Sequence, residues 1–244
     1  MYIDFSSLFH QSSKDRSGGG RVNIPLDPST WPEEWRTIAY KEYPRLKQVP
    51  LGDARTGGGL FDAIRARTSQ RDFSRKKLSL EEISTLCKYA CGIVSAGDGV
   101  HHRAQPSGGG RYPVETYLLV FAGAEGVAPG VYHYNVRAHA LDVLWERPFS
   151  DADVATFFTY PWAQQASFAL VFTGVFRRNQ MKYGERGYRH ILIEAGAIVQ
   201  NTYLVATELG LKCTAIDGVD DVAIEKLIDV DGVGESVLCS LVLG

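Results

Sequence analysis

No stretch of about 18 consecutive apolar residues occurs in the sequence, so no helix encoded by it spans a bilayer. Net charge is almost lacking. The 26 Lys and Arg against 28 Asp and Glu leave −2 at pH 7, which implies neither nucleic acid nor an anionic membrane as partner. The start, MYIDFSSLFHQSSKDRSGGGR, has no charged-then-apolar targeting pattern, and the expected location is the cytoplasm. Cysteine is scarce: Cys87, Cys91, Cys213 and Cys239 show neither zinc spacing nor a disulfide framework. Cys87 and Cys91, four apart on a predicted helix, read as small buried apolar residues. No G-x-G-x-x-G follows a strand and no G-x-x-x-x-G-K-[ST] occurs, so a Rossmann or P-loop nucleotide site has no support. H-E-x-x-H and G-x-S-x-G are missing as well. The six histidines form no metal-like group beyond His101-His102, which reads as a solvated loop pair, and no metal is expected.

What is present is ordinary for a globular protein: 244 residues, 45% hydrophobic and 22% charged, enough for one large domain or two small ones. Residues 1–55 differ from the rest. They hold Gly18-Gly19-Gly20, Pro25, Pro28, Pro32, Pro44, Pro50, Trp31 and Trp35. This segment is expected to wrap a larger body or a partner subunit in extended form with short helical turns. Residues 56–244 form the regular domain. LFDAIRAR predicts a helix ending near Thr68, and LSLEEISTLCKYACGI a second one with Ser79 and Glu82 as a capping box. VETYLLVFAG at 114–123 and SFALVFTGVF at 167–176 are nearly unbroken apolar runs, hence strands buried on both faces. GVYHYN and ALDVLWE pair as a hairpin around Val136 to His139, and Ser150 is a candidate cap for ADVATFF.

A long helix follows. From Tyr188 the apolar or small positions are 188, 191, 192, 195, 198, 199, 202, 205, 206 and 209, one stripe of an α-helix ended by Gly210. At about 1.5 Å per residue it is roughly 33 Å long. Gly196 in its middle costs about 1 kcal/mol relative to alanine, which suggests a close approach by another helix. KCTAI, DDVAIEKLI and SVLCSLVL predict strand, short helix and final strand.

Three clusters carry chemistry. RARTSQRDF places Arg65, Arg67 and Arg71 around the hydroxyls of Thr68 and Ser69, donors suited to a phosphate ester. QPSGGGRYPVE has three glycines after Pro106-Ser107, which lets backbone amides approach a flat ligand. In RRNQMKYGERGYR, Lys182-Tyr183 lies between a strand and a helix, so both side chains emerge at the sheet's edge. Arg177, Arg178, Arg186 and Arg189 are expected to crowd Lys182 with like charge, which together with burial suits a general base.

R-x-[ST]-x-R-x-F, then PSGG-x-x-YP-x-E, G-x-YHYN, KYGERGYR and a helix with G-x-x-x-QN resemble, in that order, the nitroreductase-fold flavoproteins. The Lys-Tyr pair narrows the resemblance to SagB-type dehydrogenases, the oxidase component of thiazole/oxazole-modified peptide synthetases. The match runs from about Thr56 to Gly244, and Phe9-His10-Gln11-Ser12-Ser13-Lys14 is similar to that family's N-terminal segment. The resemblance implies an α+β nitroreductase-like fold: a mixed, mostly antiparallel sheet flanked by helices, with a long central dimer helix. It implies FMN, with Arg67, Ser69 and Arg71 on its phosphate and ribityl chain and Thr68 close by. Pro106, Ser107 and Gly108 would pass along the isoalloxazine from the other subunit, and Ile216, Asp217 and Gly218 would lie near its hydride-accepting nitrogen. Lys182 and Tyr183 would be the catalytic pair that turns peptide azolines into azoles, with dioxygen as final acceptor. Implied partners are a second copy of the chain, a peptide or small natural product as substrate, and a cyclodehydratase complex. One departure is that no basic residue follows Lys226, where many nitroreductases hold the phosphate, so Arg189 is assigned a share of that task. An NAD(P)H-dependent nitro or quinone reductase, a flavin oxidase of another natural-product pathway, and a non-catalytic scaffold subunit remain open as alternatives.

Overall fold

Two apolar runs make the centre of the fold. Residues 114–120 become β3 (Val114–Val120) and residues 168–175 become β6 (Phe168–Val175), paired antiparallel with Tyr117 opposite Val171. Successive residues alternate between two cores: Phe168, Leu170 and Phe172 join one, Ala169 and Val171 the other. Helices cover both faces, so these strands lack the polar alternation of a half-exposed sheet. The computed structural model describes residues 5–14, 27–30, 33, 59–97 and 100–244. Most of the irregular N-terminal segment, including Gly18-Gly19-Gly20, Trp31 and Trp35, lies outside these residues.

Around β3 and β6 the sheet adds β4 (Gly130–Asn135), β5 (Ala140–Glu146), β7 (Cys213–Ile216) and β8 (Glu235–Leu243), in the order β5-β4-β3-β6-β8-β7. Every pairing between these strands is antiparallel, and among the described residues the one parallel contact is the isolated bridge Leu78–Ala124. A separate hairpin joins β1 (Ile93–Gly97) to β2 (Val100–Arg103). His101-His102 therefore belongs to a strand and not to a loop, because backbone pairing with Ala96 and Ser95 fixes it. The four cysteines are free thiols, with Cys87, Cys91 and Cys213 buried.

On one face lie α3 (Leu80–Cys91) and α6 (Arg186–Glu208), joined by Asn201 Nδ2 donating to the Ala90 carbonyl at 3.1 Å. Ser79 and Glu82 form the expected capping box on α3, and Ser150 with Asp153 forms another on α4 (Asp151–Phe157). On the opposite face, α4 and α7 (Asp221–Leu227) bury Val154, Phe157 and Ile224. Helix α6 buries Ile191, Ala195, Ile198 and Ala206 and stops in a Schellman turn. Gly210 takes φ +66°, its N–H donates to the Thr207 carbonyl at 3.2 Å, and Leu211 N–H donates to Ala206 at 2.8 Å. Gly196 has no neighbour among the described residues: a Cβ there meets nothing of them within 4 Å, and Leu192 and Ile193 on the same side are exposed.

Within the segment expected to be extended with short helical turns, residues 5–13 form a docked helix, α1 (Phe5–Ser13). Its buried His10 bridges Tyr188 Oη and Ser236 Oγ, each at 2.9 Å. Lys14 donates to Glu225 at 2.8 Å and to the Gly232 carbonyl at 2.6 Å. Ser6 N–H donates to Glu185 at 2.9 Å, and Gln180 Nε2 donates to Ser6 Oγ at 2.8 Å. Nine residues, four of them serine, form a marginal helix in isolation; tertiary contacts such as these stabilise it.

Candidate active site

The stretch between β6 and α6 is helical. Helix α5 (Phe176–Tyr183) places Lys182 and Tyr183 in its last turn, a helix the sequence pattern between strand and long helix did not announce. Its stop is glycine chemistry. Gly184 adopts φ +55°, ψ −145°, a conformation reserved for glycine, and a Cβ on Gly187 would sit 2.9 Å from Gln180 N. The sharp α5–α6 corner turns Lys182 and Tyr183 back over the glycine turn at Gly108–Gly110. A Cβ on Gly109, at φ +69°, would collide with the Tyr183 hydroxyl and lie 3.2 Å from Lys182 Nζ. A Cβ on Gly108 would lie 2.9 Å from His190 Nδ1. The His190 ring meets the Tyr183 ring edge-on at 4.8 Å, and Lys182 Nζ stands 5.2 Å from the Tyr183 ring centre. Ser107 Oγ accepts from Tyr112 N–H at 2.8 Å and shapes the turn.

Sequence reasoning missed the layer beneath. Gln105 and Glu194 are buried, with Gln105 Nε2 donating to Glu194 Oε1 at 3.2 Å. Gln105 Oε1, Glu194 Oε2 and His190 Nδ1 are buried without a hydrogen-bond partner among the described residues. Burial pushes the Glu194 carboxyl above its ordinary range, opposed by Ser107, Gln105 and the Arg103 charge. The clue was an ionisable residue at position 194, inside the buried arc of α6, one turn after His190.

Two of the four arginines expected to crowd Lys182 are engaged elsewhere. Arg178 turns to the Glu115 carboxylate and donates to the Tyr112 carbonyl at 3.2 Å. Arg177 lines a groove beside α1 with Ser6, His10 and Gln180. A near carboxylate and a carbonyl draw guanidinium groups more strongly than open space beside another cation does.

A second cluster gathers at the other end of α6. α2 (Gly59–Ala66) leads into 67–71, a segment pinned to β7 by Gln70 N–H donating to the Cys213 carbonyl at 3.1 Å. Ser69 Oγ lies 3.0 Å from Tyr203 Oη, which accepts from Ala215 N–H at 2.6 Å. The Arg67 guanidinium is 5.3 Å from the Tyr203 ring centre, and that of Arg71 is 5.7 Å from Trp162. Trp162 stacks on Tyr160 at 5.3 Å, and Tyr160 abuts Gly218, where a Cβ would come within 2.5 Å of it. Ile216 is buried at the end of β7, and Asp217 is exposed beyond it. Thr68, Ser69 and Arg71 are exposed, and neither Arg67 nor Arg71 has an acidic partner among the described residues.

The chain thus brings Arg67, Thr68, Ser69, Arg71, Ile216, Asp217 and Gly218 into one half-site, and Pro106, Ser107, Gly108, Lys182 and Tyr183 into another. His190 and Tyr203, one in each, are thirteen residues apart on α6, or about 20 Å along its axis. Arg189 falls in the second group, at the wrong end of α6 to join Arg67 within one chain. No group of three metal-ligating side chains and no helix long and apolar enough to cross a membrane occurs among the described residues.

The Nitroreductase family model matches residues 64–244. The trifolitoxin-processing protein TfxB of Rhizobium leguminosarum bv. trifolii is 32% identical over 176 residues, 68% of this chain and 47% of that protein, so the chain spans about half the length of that relative. The microcin B17-processing protein McbC of Escherichia coli is 30% identical over 191 residues, covering 70% of this chain and 68% of that one. In fold, a chain of the E. coli microcin synthetase McbBCD complex with truncated pro-MccB17 bound matches all of this chain and 94% of its own length, with a TM-score of 0.73 at 24% identity. On this match across three quarters of its length, the chain belongs to the nitroreductase family.

Proposed function

We propose that the chain is an FMN-dependent dehydrogenase of the SagB type, oxidising peptide thiazolines and oxazolines to azoles with dioxygen as final acceptor. The observation that carries this reading is the meeting of Lys182 Nζ and Tyr183 Oη over a glycine turn that has no room for a Cβ. The half-sites suit FMN. Arg67 and Arg71 offer guanidinium forks with no acidic partner among the described residues, and Ser69 adds a hydroxyl for the phosphate and ribityl chain. Of the turn's glycines, Gly110 faces open space where a flat ring system can lie, and the unpartnered Nδ1 of His190 stands against Gly108. When bound, FMN supplies the hydride acceptor and passes the electrons to dioxygen.

The chain's own residues do the rest. In an azoline the ring C=N and the neighbouring carbonyl acidify the α-hydrogen, and Lys182 is the base that removes it. Tyr183, its ring set by the edge contact with His190, presents its hydroxyl beside Gly109 to the carbonyl oxygen next to the ring. The separation of the half-sites along α6 supports a homodimer in which the turn of one copy meets Arg67 and Arg71 of the other. Leu192, Ile193 and Gly196 supply the exposed face for that contact. Residues 56–244 form the FMN-binding domain. The cytoplasm is the proposed location, and a cyclodehydratase complex the proposed partner, in keeping with the McbBCD likeness.

The test is spectroscopic and kinetic. The purified protein is expected to be yellow, and Lys182→Ala should keep the flavin yet lose azoline oxidation by about 100-fold or more. Normal turnover by that variant refutes the role given to Lys182. Rapid bleaching of the bound flavin by NADPH without any peptide identifies a reductase instead.

A further inference from the structure

Beside the Lys182–Tyr183 pair lies a hollow of about 530 Å³ lined by Arg103, Arg111, Arg137, Arg178, Tyr112, Ile93 and Val136. Four guanidinium groups converge there from four different elements: the end of β2, the segment after the glycine turn, the β4–β5 turn, and α5. Among the described residues they meet one carboxylate. Glu115 is shared by Arg178 and by His133, which approaches to 3.0 Å. Burial pushes the Glu115 carboxyl up, but His133 and Arg178 outweigh it and hold the group below its usual range, so it is ionised. Arg111 and Arg137 pair with no acidic group among the described residues, and Arg103 Nη2 is buried without a hydrogen-bond partner there.

The site is built. Arg103 is fixed by Nε donating to the Cys91 carbonyl at 2.7 Å, and its guanidinium stacks 5.1 Å from the Tyr112 ring centre. Tyr112 is held at φ +46°, a left-handed conformation that tyrosine rarely adopts. In that pose its ring underlies Arg103 while its carbonyl accepts from Arg178. Arg111 Nε donates to the Arg178 carbonyl at 3.0 Å, tying the glycine-turn segment to α5. Ile93, Val136 and the Tyr112 ring give the hollow an apolar floor.

We infer that this hollow binds acidic side chains of a peptide substrate, at a distance of a few residues from the reacting ring. The inference rests on the azoline-oxidase reading above. Arg178 and Lys182 stand one turn apart on the same face of α5, and Arg111 follows Gly109 by two residues, so a chain lying across the glycine turn enters the hollow directly. A compact phosphate needs donors clustered at one point. Donors spread over four elements, with an apolar floor between them, match an extended chain carrying carboxylates. The anion the cluster already holds, Glu115, is itself a carboxylate.

The test compares two fluorescein-labelled peptides without azolines, one carrying glutamates and one carrying glutamines at the same positions, by fluorescence anisotropy on the FMN-loaded protein. Wild type should bind the glutamate peptide at least about tenfold more tightly at low salt, with the preference shrinking as salt rises. In the Arg111→Gln/Arg137→Gln double variant, whose two side chains are exposed, the ratio should fall to near one while the melting temperature stays put. Equal affinity of wild type for both peptides overturns the inference. So does displacement by inorganic phosphate or 2′-AMP with no preference for the acidic peptide, which marks a phosphoester site. A wild type that favours the acidic peptide but oxidises no azoline substrate overturns the activity reading and leaves the hollow standing.

Discussion

Replacing Glu194 by glutamine removes a buried charge and changes one atom. In the native layer under the glycine turn, Gln105 Nε2 donates to Glu194 Oε1, while Gln105 Oε1 and Glu194 Oε2 are left buried with no hydrogen-bond partner among the described residues. An amide at 194 puts an N–H₂ where Oε2 was, and it can donate to Gln105 Oε1, closing a two-bond amide pair. A buried polar atom left without a partner costs about 1–3 kcal/mol, and a neutral hydrogen bond returns about 1 kcal/mol. Because burial raises the Glu194 pKa, the native state favours the protonated carboxyl, which can make the same second bond itself. The sign follows from linkage: wild type keeps this stability below the ordinary carboxyl range and loses it as pH climbs through the raised folded pKa. Glu194→Gln should therefore match wild type near about pH 4 and exceed it by about 1–3 kcal/mol near pH 8, some 2–4 °C in melting temperature per kcal/mol. Thermal unfolding of the FMN-loaded proteins at equal concentration across that range is the measurement. A variant less stable than wild type at the alkaline end, or a gain that does not change with pH, sinks the argument.

Gly109→Ala forces a methyl into the Tyr183 hydroxyl and demands φ +69° of a residue with a Cβ. Azoline turnover should drop at least about tenfold and the melting temperature by a few degrees at most, since the turn lies at the surface; unchanged turnover would mean that the pair does not work over this turn. Burial, then Lys14, lowers the His10 pKa to about 4, with Glu225 opposing. The unfolded chain binds that proton first, so stability falls as pH drops from about 6.5 toward 4, by roughly 2–3 kcal/mol after allowance for partial solvation. In urea unfolding, the wild-type advantage over His10→Gln should shrink across that window, and an advantage constant with pH counts against a neutral buried His10.

How much could be read from the sequence depended on how locally each feature is encoded. The capping box at Ser79 and the cap at Ser150 need four residues each, and both formed where the spacing placed them, the second as a full box with Asp153. The strands at 114–120 and 168–175 were legible because unbroken apolar runs leave few alternatives. Helix α5 was not legible: RRNQMKY is polar on every side, and the helix exists because Phe176 and Asn179 are buried and Gly184 ends it. Helix α1 escaped for the same reason, its support coming from Tyr188, Ser236 and Glu185, far away in the chain. Lys182 and Tyr183 meet the glycine turn within one chain, a contact that neither the spacing nor the resemblance specified, and His190, Gln105 and Glu194 acquire meaning only once residues 105–110 fold onto α6. The engagement of Arg178 elsewhere was invisible for a similar cause, since Glu115 sits 63 positions from Arg178.

The length of α6 has a genetic corollary. If each reaction centre draws its phosphate grip from one copy and its base from the other, the two lesions Arg67→Ala and Lys182→Ala belong to different complementation groups within a single gene. Co-expressed, the two defective polypeptides would assemble hybrids in which one centre inherits both faults and its twin inherits neither. Two dead alleles would then yield a partly living enzyme, an outcome that a self-contained active site in each polypeptide forbids.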